Sequence, residues 1–343
     1  MGPVTGGLLS GIAWVNGREI VYSAGAINRS LYRLSIAGNR VPERLNLGWD
    51  SQLVPAVSIA RHRLIYASRV YRGDLVRLDT QAGTLEPLVS ARGLQLHPRY
   101  SPDGRKIAFF STRSGNPEIW TCNADGSGCE QLTSFGGPFV TSPRWSPDGR
   151  RIAFDARPED KSQIYFIAAD GGEPQRLTSG NAWNSRPDWS QDGQWIYFTS
   201  DRSGRDEIWK MPAAGGEPVQ VTRTGGASPM VSSEGDALYY QKQEEGYQAQ
   251  LRVSLYRMPE KGGPAEEILP LRGDRYWDVN RMGLYFLTAG NELRVRDLRS
   301  GKTRTLAQVP QAGLFSVSPD GAWVAMEQSQ PTLYDLMLVE DFK

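Results

Sequence analysis

Short runs in which large apolar residues alternate with small or polar ones recur along this chain, and no run keeps helical spacing. In the segment that begins at Ser142 these runs are PRWS, RIAFDA, QIYFIAA and PQRLT, and they are rich in Ile, Tyr, Phe and Trp. Such alternation has the period of a β-strand with two different faces. The pattern therefore predicts an all-β chain built from short strands.

The four runs recur as a unit, and three close copies lie between residues 98 and 221. Their turn glycines, Gly104, Gly149 and Gly193, are 45 and 44 residues apart. Weaker copies place turns at Gly17, His62, Gly235, Gly283 and Gly321. A fixed period near 44 residues with four strands per period is typical of a β-propeller. We predict eight blades, each a four-stranded antiparallel sheet, or seven if the first or seventh copy is something else.

The copies divide residues 1–343 as one propeller domain without a linker. The predicted blades are 8–52, 53–95, 96–140, 141–184, 185–226, 227–278, 279–312 and 313–343 plus 3–7. The last copy stops one strand short, and the N-terminal GPVTGG is similar to the fourth strand in EPVQVTRTGG. Residues 3–7 are therefore expected to complete the last blade and close the ring, which leaves no open sheet edge.

Charge and hydropathy limit the partners. The chain has 39 basic and 38 acidic residues, a formal charge of +1, so no polybasic face for nucleic acid or anionic lipid is expected. The sequence has no apolar run of the roughly 18 residues that a membrane span needs. MGPVTGG lacks the basic and apolar pattern of a signal peptide. We expect a monomer that neither binds nucleic acid nor inserts into a membrane.

Two cysteines bear on the compartment. Cys122 and Cys129 flank the turn NADGSG, so they either pair across a hairpin in an oxidising compartment or remain two free thiols. The two histidines of the chain, His62 and His97, lie in different copies, and a zinc site needs more ligands than the cysteines supply. We expect no metal, no cofactor and an extracytoplasmic location, with the cytoplasm as the alternative.

The motif PxWSPDG, then IAFxSxRxG, then EIWxxxADGxxxxxLT, as it stands in residues 98–221, resembles the TolB-like family of WD-like propeller repeats. The closing DLMLVEDFK resembles the end of CadC-like bacterial transcriptional regulators, in which a winged helix and a membrane segment precede a C-terminal propeller. This resemblance implies a noncatalytic module that binds a protein or peptide at the mouth of its channel, as the sensor domain of such a regulator.

Two other functions remain open. In the first alternative the chain is an accessory propeller of a prolyl-oligopeptidase-type peptidase. In the second it is a sensor of a sugar or another small molecule. A hydrolase domain would carry a Gly-x-Ser-x-Gly elbow, and that pentapeptide does not occur in the sequence. We therefore expect no catalysis by this chain.

The candidate ligand-binding residues come from the loops that join blades, which share one face with the loops after the second strands. Large aromatic side chains beside charges in loops are typical of recognition surfaces. The candidates are Trp49, Asp50, His97, Phe139, Trp183, Arg186, Tyr276, Trp277 and Asp278. The alternative is that these bulky residues fill gaps between blades. Tyr100, Trp145 and Trp189 share one repeat position and are predicted to pack between blades.

Overall fold

A computed structural model describes residues 11–24, 29–38, 40–45, 47, 51–70, 72–244, 252–271, 276–330 and 333–342. These residues form an all-β structure, and its single helical element among them is a 3-10 turn at Ile59–Arg61. In this part of the chain no helix has the length and apolar character to cross a bilayer. The chain divides into two compact units, residues 1–72 with 330–343 (unit 1) and residues 73–329 (unit 2).

Unit 1 contains one four-stranded and one three-stranded antiparallel sheet. The first sheet consists of β1 (Ile12–Asn16), β2 (Glu19–Ala24), β3 (Ser30–Ser35) and β4 (Glu43–Arg44). The second sheet has the order β31-β6-β5, from β5 (Ser51–Ser58), β6 (Arg63–Val70) and β31 (Leu333–Val339). Buried side chains that include Val21, Leu31, Leu64 and Tyr66 join the two sheets.

Unit 2 contains six four-stranded antiparallel sheets among the described residues. One has the order β29-β30-β7-β8, from β7 (Gly73–Asp79), β8 (Leu85–Val89), β29 (Ala312–Val317) and β30 (Trp323–Ser329). The second sheet consists of β9 (Gln95–Tyr100), β10 (Lys106–Ser111), β11 (Glu118–Asn123) and β12 (Glu130–Gln131). The third consists of β13 (Phe139–Trp145), β14 (Arg151–Arg157), β15 (Gln163–Ala168) and β16 (Gln175–Arg176). The fourth consists of β17 (Asn184–Trp189), β18 (Trp195–Ser200), β19 (Glu207–Pro212) and β20 (Val219–Gln220). The last two are β21 (Ala227–Val231), β22 (Ala237–Glu244), β23 (Arg252–Pro259) and β24 (Glu266–Leu271); and β25 (Trp277–Asn280), β26 (Gly283–Leu287), β27 (Glu292–Arg296) and β28 (Thr303–Gln308).

The repeated Ser-Pro-Asp-Gly turn connects the first and second strands. In its first copy, Asp103 Oδ1 accepts a hydrogen bond from Ser101 Oγ at 2.6 Å and from the Arg105 amide at 3.1 Å. Gly104 takes a φ of 71°, which favours glycine, and its amide donates to the Ser101 carbonyl at 2.9 Å. Because each turn satisfies its own polar groups, the strands on either side are held in register.

The sheets of unit 2 pack in a closed cycle. Each sheet shares a buried apolar cluster with the next one, from Ala108 and Phe154 between the second and third sheets to Tyr239 and Trp277 between the fifth and sixth. A further cluster packs Tyr285 of β26 against Phe315 of β29, which joins the sixth sheet to the first. Unit 2 is thus a propeller-like ring of six sheets within the described residues.

Two predicted blades exchange strands, which differs from the single eight-bladed ring that we predicted and from the seven-bladed alternative. The predicted spans 8–52, 96–140, 141–184, 185–226, 227–278 and 279–312 each hold one four-stranded sheet to within two residues. In the span 53–95, however, β6 pairs with β31, whereas β7 pairs with β30. Six sheets therefore close on themselves in unit 2, while two lie in unit 1. Residues 3–7, predicted to complete the last blade, lie outside the described residues.

Candidate functional site

The first strands of the six sheets of unit 2 line two cavities. The loop-end cavity lies where these strands begin and has a volume of about 50 Å³. The turn-end funnel lies where they end, is walled also by the turns that follow them, and has a volume of about 910 Å³. The candidate surface from the sequence belongs to the loop end. The funnel is at the opposite end.

Four first strands use the same backbone conformation to point a side chain into the loop-end cavity. His97, Ser142, Arg186 and Ser228 have φ values between 54° and 57°, and a proline follows each of them. The register of the strand ladder shifts beside each of these residues. A bulge with a left-handed residue redirects its side chain, so all four side chains line one cavity.

Carboxylates hold two of these bulges in place. Glu327 Oε1 accepts the amide hydrogen of His97 at 2.7 Å, and Asp155 Oδ1 accepts that of Arg186 at 3.0 Å. Each acceptor belongs to the second strand of the preceding sheet, β30 or β14. A side chain that accepts an otherwise unpaired amide stabilises a strained backbone conformation. The bulges are therefore fixed by contacts between neighbouring sheets.

Burial shifts the pKa of His97, which lines the loop-end cavity, and that of Glu327, which accepts the amide hydrogen of His97. Burial, together with the positive charges of Arg99, Arg186 and Arg144, lowers the pKa of His97 to about 3. The imidazole is therefore neutral near pH 7, and its Nδ1 lies 2.9 Å from Thr141 Oγ1. Burial also raises the pKa of Glu327 to about 7, although its bonds from backbone amides oppose that shift.

The structure brings three candidate residues together, since His97, Arg186 and Trp277 all line the loop-end cavity. Trp277 is only 3% exposed, however, and packs in the core with Met230 and Tyr239. It opens strand β25 and does not lie in a loop. The placement of Trp277 on a recognition loop was wrong, because its indole is needed to fill the space between two sheets.

Asp278 and Tyr276 also have partners within unit 2. Asp278 lies on β25, is 7% exposed and forms an ion pair with Arg99, with 3.2 Å between Oδ1 and Nη1. Tyr276 is half-buried and packs against the core cluster that contains Phe315. Asp278 thus lies in a strand and has an ion-pair partner within the protein, and it also lines the turn-end funnel. Asp278 was therefore also wrongly assigned to a loop.

Phe139 and Trp183 form a separate cluster around one arginine. The guanidinium carbon of Arg157 lies 4.2 Å from the centre of the Trp183 ring and 5.1 Å from that of Phe139. Phe139 also contacts Phe110, with 5.5 Å between ring centres. Such cation–π contacts account for both aromatic residues without a ligand. Trp49 and Asp50 lie outside the described residues.

The turn-end funnel has a mixed lining of charged and aromatic residues. Its charged residues are Arg77, Arg99, Asp103, Asp125, Arg144, Asp188, Glu234, Asp278, Arg281 and Asp320. Its large aromatic residues are Tyr100, Trp145, Trp189 and Trp323. The signal that could have revealed this site is a charged residue directly before the repeated aromatic position, as in Arg99, Arg144 and Asp188.

Comparisons with known proteins agree with this architecture. Residues 130–263 match the family model PD40, the TolB β-propeller domain. The crystal structure of TolB from Acinetobacter baumannii superposes with a TM-score of 0.57 at 18% identity, over 96% of this chain and 81% of that one. The chain carries a TolB-like propeller domain.

Sequence relatives of the TolB-like propeller match over short segments. The Tol-Pal system protein TolB of Syntrophus aciditrophicus is 35% identical over 78 residues, which cover 23% of this chain and 15% of the relative. The TolB homolog of Chlorobium luteolum is 49% identical over 55 residues, 15% of this chain and 12% of the relative. Such segments show a shared repeat and leave most of each relative unmatched.

The disulfide joins Cys122 on β11 to Cys129 across the turn NADGSG. Of the two alternatives that the sequence left open, the paired state is thus the one observed. The repeat position of Tyr100, Trp145 and Trp189 lies between sheets, as predicted, because each ring packs in or against a core cluster.

Proposed function

We propose that the chain is a noncatalytic binding module whose TolB-like propeller accepts a segment of another protein in the turn-end funnel. The observation that supports this is the funnel's volume of about 910 Å³ with walls from all six sheets of unit 2. A space of this size accommodates several side chains of a peptide, whereas the loop-end cavity of about 50 Å³ accommodates only a small group.

The chemistry of the funnel favours a peptide over an apolar small molecule. Four arginines and six acidic residues line it, and aromatic rings such as Trp189 and Trp323 lie among them. Alternating charges give many directed polar contacts, and indole rings give area at little cost in side-chain entropy. The partner in this proposal is an extended protein segment with both charged and apolar side chains, and the module itself acts as a monomer.

An extracytoplasmic location is part of the proposal. The disulfide between Cys122 and Cys129 and the similarity to TolB proteins support it. The role of sensor domain in a larger CadC-like regulator rests on the closing segment alone and remains a proposal.

A substitution that places a bulky side chain in the turn-end funnel tests whether the funnel is the binding site. Gln191 is exposed on the funnel wall, and Gln175 is exposed on the outer strand β16 of the preceding sheet. A peptide phage library is selected on the wild-type chain, and the enriched peptides are measured by fluorescence anisotropy. Gln191→Trp is expected to weaken their binding at least tenfold, whereas the matched variant Gln175→Trp leaves it unchanged. Equal binding to both variants, or no enrichment on the wild type, would refute the funnel as the site.

A further inference from the structure

Arg99 and Arg144 form the boundary between the two cavities of unit 2. Both residues line the loop-end cavity and the turn-end funnel, and Met230 does the same. Their side chains are 14% and 17% exposed. Two guanidinium groups thus lie close enough to affect each other's charge, in a largely buried layer between the smaller loop-end cavity and the larger turn-end funnel.

Neither guanidinium makes a hydrogen bond within the described part of the chain. Arg99 Nη1 lies 3.2 Å from Asp278 Oδ1, and Arg144 Nε lies 3.6 Å from Asp188 Oδ1. These are ion pairs whose geometry leaves the N–H groups of both arginines without a directed acceptor. A guanidinium has five N–H donors in a fixed plane, and no nitrogen of Arg99 or Arg144 is among the buried polar atoms without a partner, so these donors face the cavities and can be reached by a ligand.

A strand amide of the next sheet binds one oxygen of each aspartate, and the other oxygen is the one that faces the arginine. Asp188 Oδ2 accepts the Val231 amide hydrogen at 2.7 Å, and Asp278 Oδ2 accepts that of Val317 at 2.8 Å. Each carboxylate is therefore fixed to the first strand of the next sheet. Neither can turn further toward the arginines without breaking a buried backbone bond.

Burial disfavours the charged forms of both partners of the pair between Arg144 and Asp188. Burial and the nearby charge of Arg99 lower the pKa of Arg144 to about 10, although Asp188 and Asp278 oppose that shift. Burial raises the pKa of Asp188, so its charged form is itself disfavoured. The surrounding walls include the apolar side chains of Met230, Trp277 and Leu314, which add no acceptor. An anion between the two arginines would accept hydrogen bonds from N–H groups that have no directed acceptor in the protein, and its charge would favour the charged form of Arg144.

We propose that Arg99 and Arg144 bind an oxyanion, most simply a carboxylate, at the boundary between the loop-end cavity and the turn-end funnel. Planar guanidinium groups match the two oxygens of a carboxylate in bidentate fashion. The loop-end cavity of about 50 Å³ holds only a small group, so a larger ligand would place its body in the funnel. The carboxylate comes from a free small ion or from an acidic side chain or C-terminus of a bound segment. In its second form the inference rests on the proposed function.

Thermal unfolding with sodium formate and sodium sulfate tests the free-ion source, against sodium chloride at equal ionic strength. We expect a saturable rise in Tm that is specific to the oxyanions in the wild type. It is lost in Arg144→Gln and kept in Arg281→Gln, a control at an exposed arginine of the funnel wall. If Arg144→Gln does not fold, Arg144→Lys keeps the charge without the planar fork and is expected to bind at least tenfold more weakly.

The segment source is tested with the peptides selected on the funnel. Amidation of the peptides' carboxylates should weaken binding at least tenfold, and so should Arg144→Gln. Because both changes remove the same interaction, the amidated peptides should bind Arg144→Gln no more weakly than they bind the wild type. If the peptides bind wild type and Arg144→Gln alike, and no oxyanion raises Tm beyond chloride, the oxyanion site is refuted while the funnel stands. If Gln191→Trp binds them unchanged, the funnel fails separately.

Discussion

The hydroxyl group of Tyr100, in the core of unit 2, is expected to reduce the stability of the protein. Its removal should therefore raise stability, whereas removal of the indole N–H of Trp189, at the same position two repeats later, should lower it. Trp189 Nε1 donates a hydrogen bond to the Arg144 carbonyl at 3.1 Å, and Trp145 Nε1 donates one to the Arg99 carbonyl at 3.0 Å. At the equivalent position, the Tyr100 hydroxyl is buried and has no hydrogen-bond partner among the described residues.

The magnitudes follow from these contacts. A buried polar group without a partner costs about 1–3 kcal/mol, so Tyr100→Phe should raise the free energy of unfolding by about 1–2 kcal/mol. Each kcal/mol corresponds to roughly 2–4 °C in Tm for a domain of this size class. Trp189→Phe removes a satisfied hydrogen bond to the Arg144 carbonyl and opens space in the core, so it should lower stability by about 2–4 kcal/mol.

Urea denaturation followed by far-UV circular dichroism measures both changes. Tyr334→Phe provides the matched control, because Tyr334 is 62% exposed and its hydroxyl removal should change stability by less than about 0.5 kcal/mol. A loss of 1 kcal/mol or more in Tyr100→Phe would show that the hydroxyl is hydrogen-bonded, and a neutral Trp189→Phe would show that the indole bond contributes nothing. Either result would refute the reasoning.

Two further predictions concern the loop end of the ring. Trp277→Ala should lower the free energy of unfolding by about 3–5 kcal/mol because Trp277 is 3% exposed. Trp183→Ala should lower it by less than about 2 kcal/mol, because that ring is half-buried and stacked on Arg157, and equal losses in urea denaturation would contradict this. The pKa of Glu327 rises on folding from 4.5 to about 7, so wild-type stability falls as pH rises between these values, by roughly 3 kcal/mol. Relative to the wild type, Glu327→Gln should therefore gain stability from pH 4.5 to pH 8, and a constant difference across that range would refute the assignment.

The repeat was visible in the sequence because turn chemistry and alternation agree within each copy. The predicted span 141–184, for example, differs from the observed sheet β13–β16 by only two residues at its start, since its Pro-Asp-Gly turn and its apolar runs specify the same register. What the pattern lacks is information on which second strand a third strand will join. That choice depends on contacts between copies.

The strand exchange illustrates this limit. β7 contains the run DLVRLD from Asp74 to Asp79. β31 contains DLMLV from Asp335 to Val339, and Glu340 follows it. Both segments thus read as an acidic residue, Leu and an apolar residue, with a second acidic residue five positions after the first. Both are third strands by pattern, and a strand of either kind fits the edge of β6 or β30. Alternation fixes the faces of a strand but not its partner. The sequence therefore predicted the strands and not their assignment to sheets.

The candidates His97, Arg186 and Trp277 line the loop-end cavity and not the funnel that we propose as the site, for a related reason. Aromatic residues near the starts of the first strands were assigned to loops, whereas Trp277 lies in a strand and Trp183 stacks on Arg157. Arg99 and Arg144 were overlooked because a charged residue in an apolar run is usually exposed. Only the ring brings these two side chains from different sheets into one layer.

The pairing of β7 with β30 has a mechanical consequence. Gly73 and Ser329, the two ends of unit 2, are cross-strand partners at the end of this ladder. Tension applied through the chain at these two residues would pull the strands apart like a zipper, so that one hydrogen-bond pair carries the load at a time. Strands loaded lengthwise would share that force across the whole ladder. The seam that closes the ring is therefore the place where unit 2 should yield first when it is stretched.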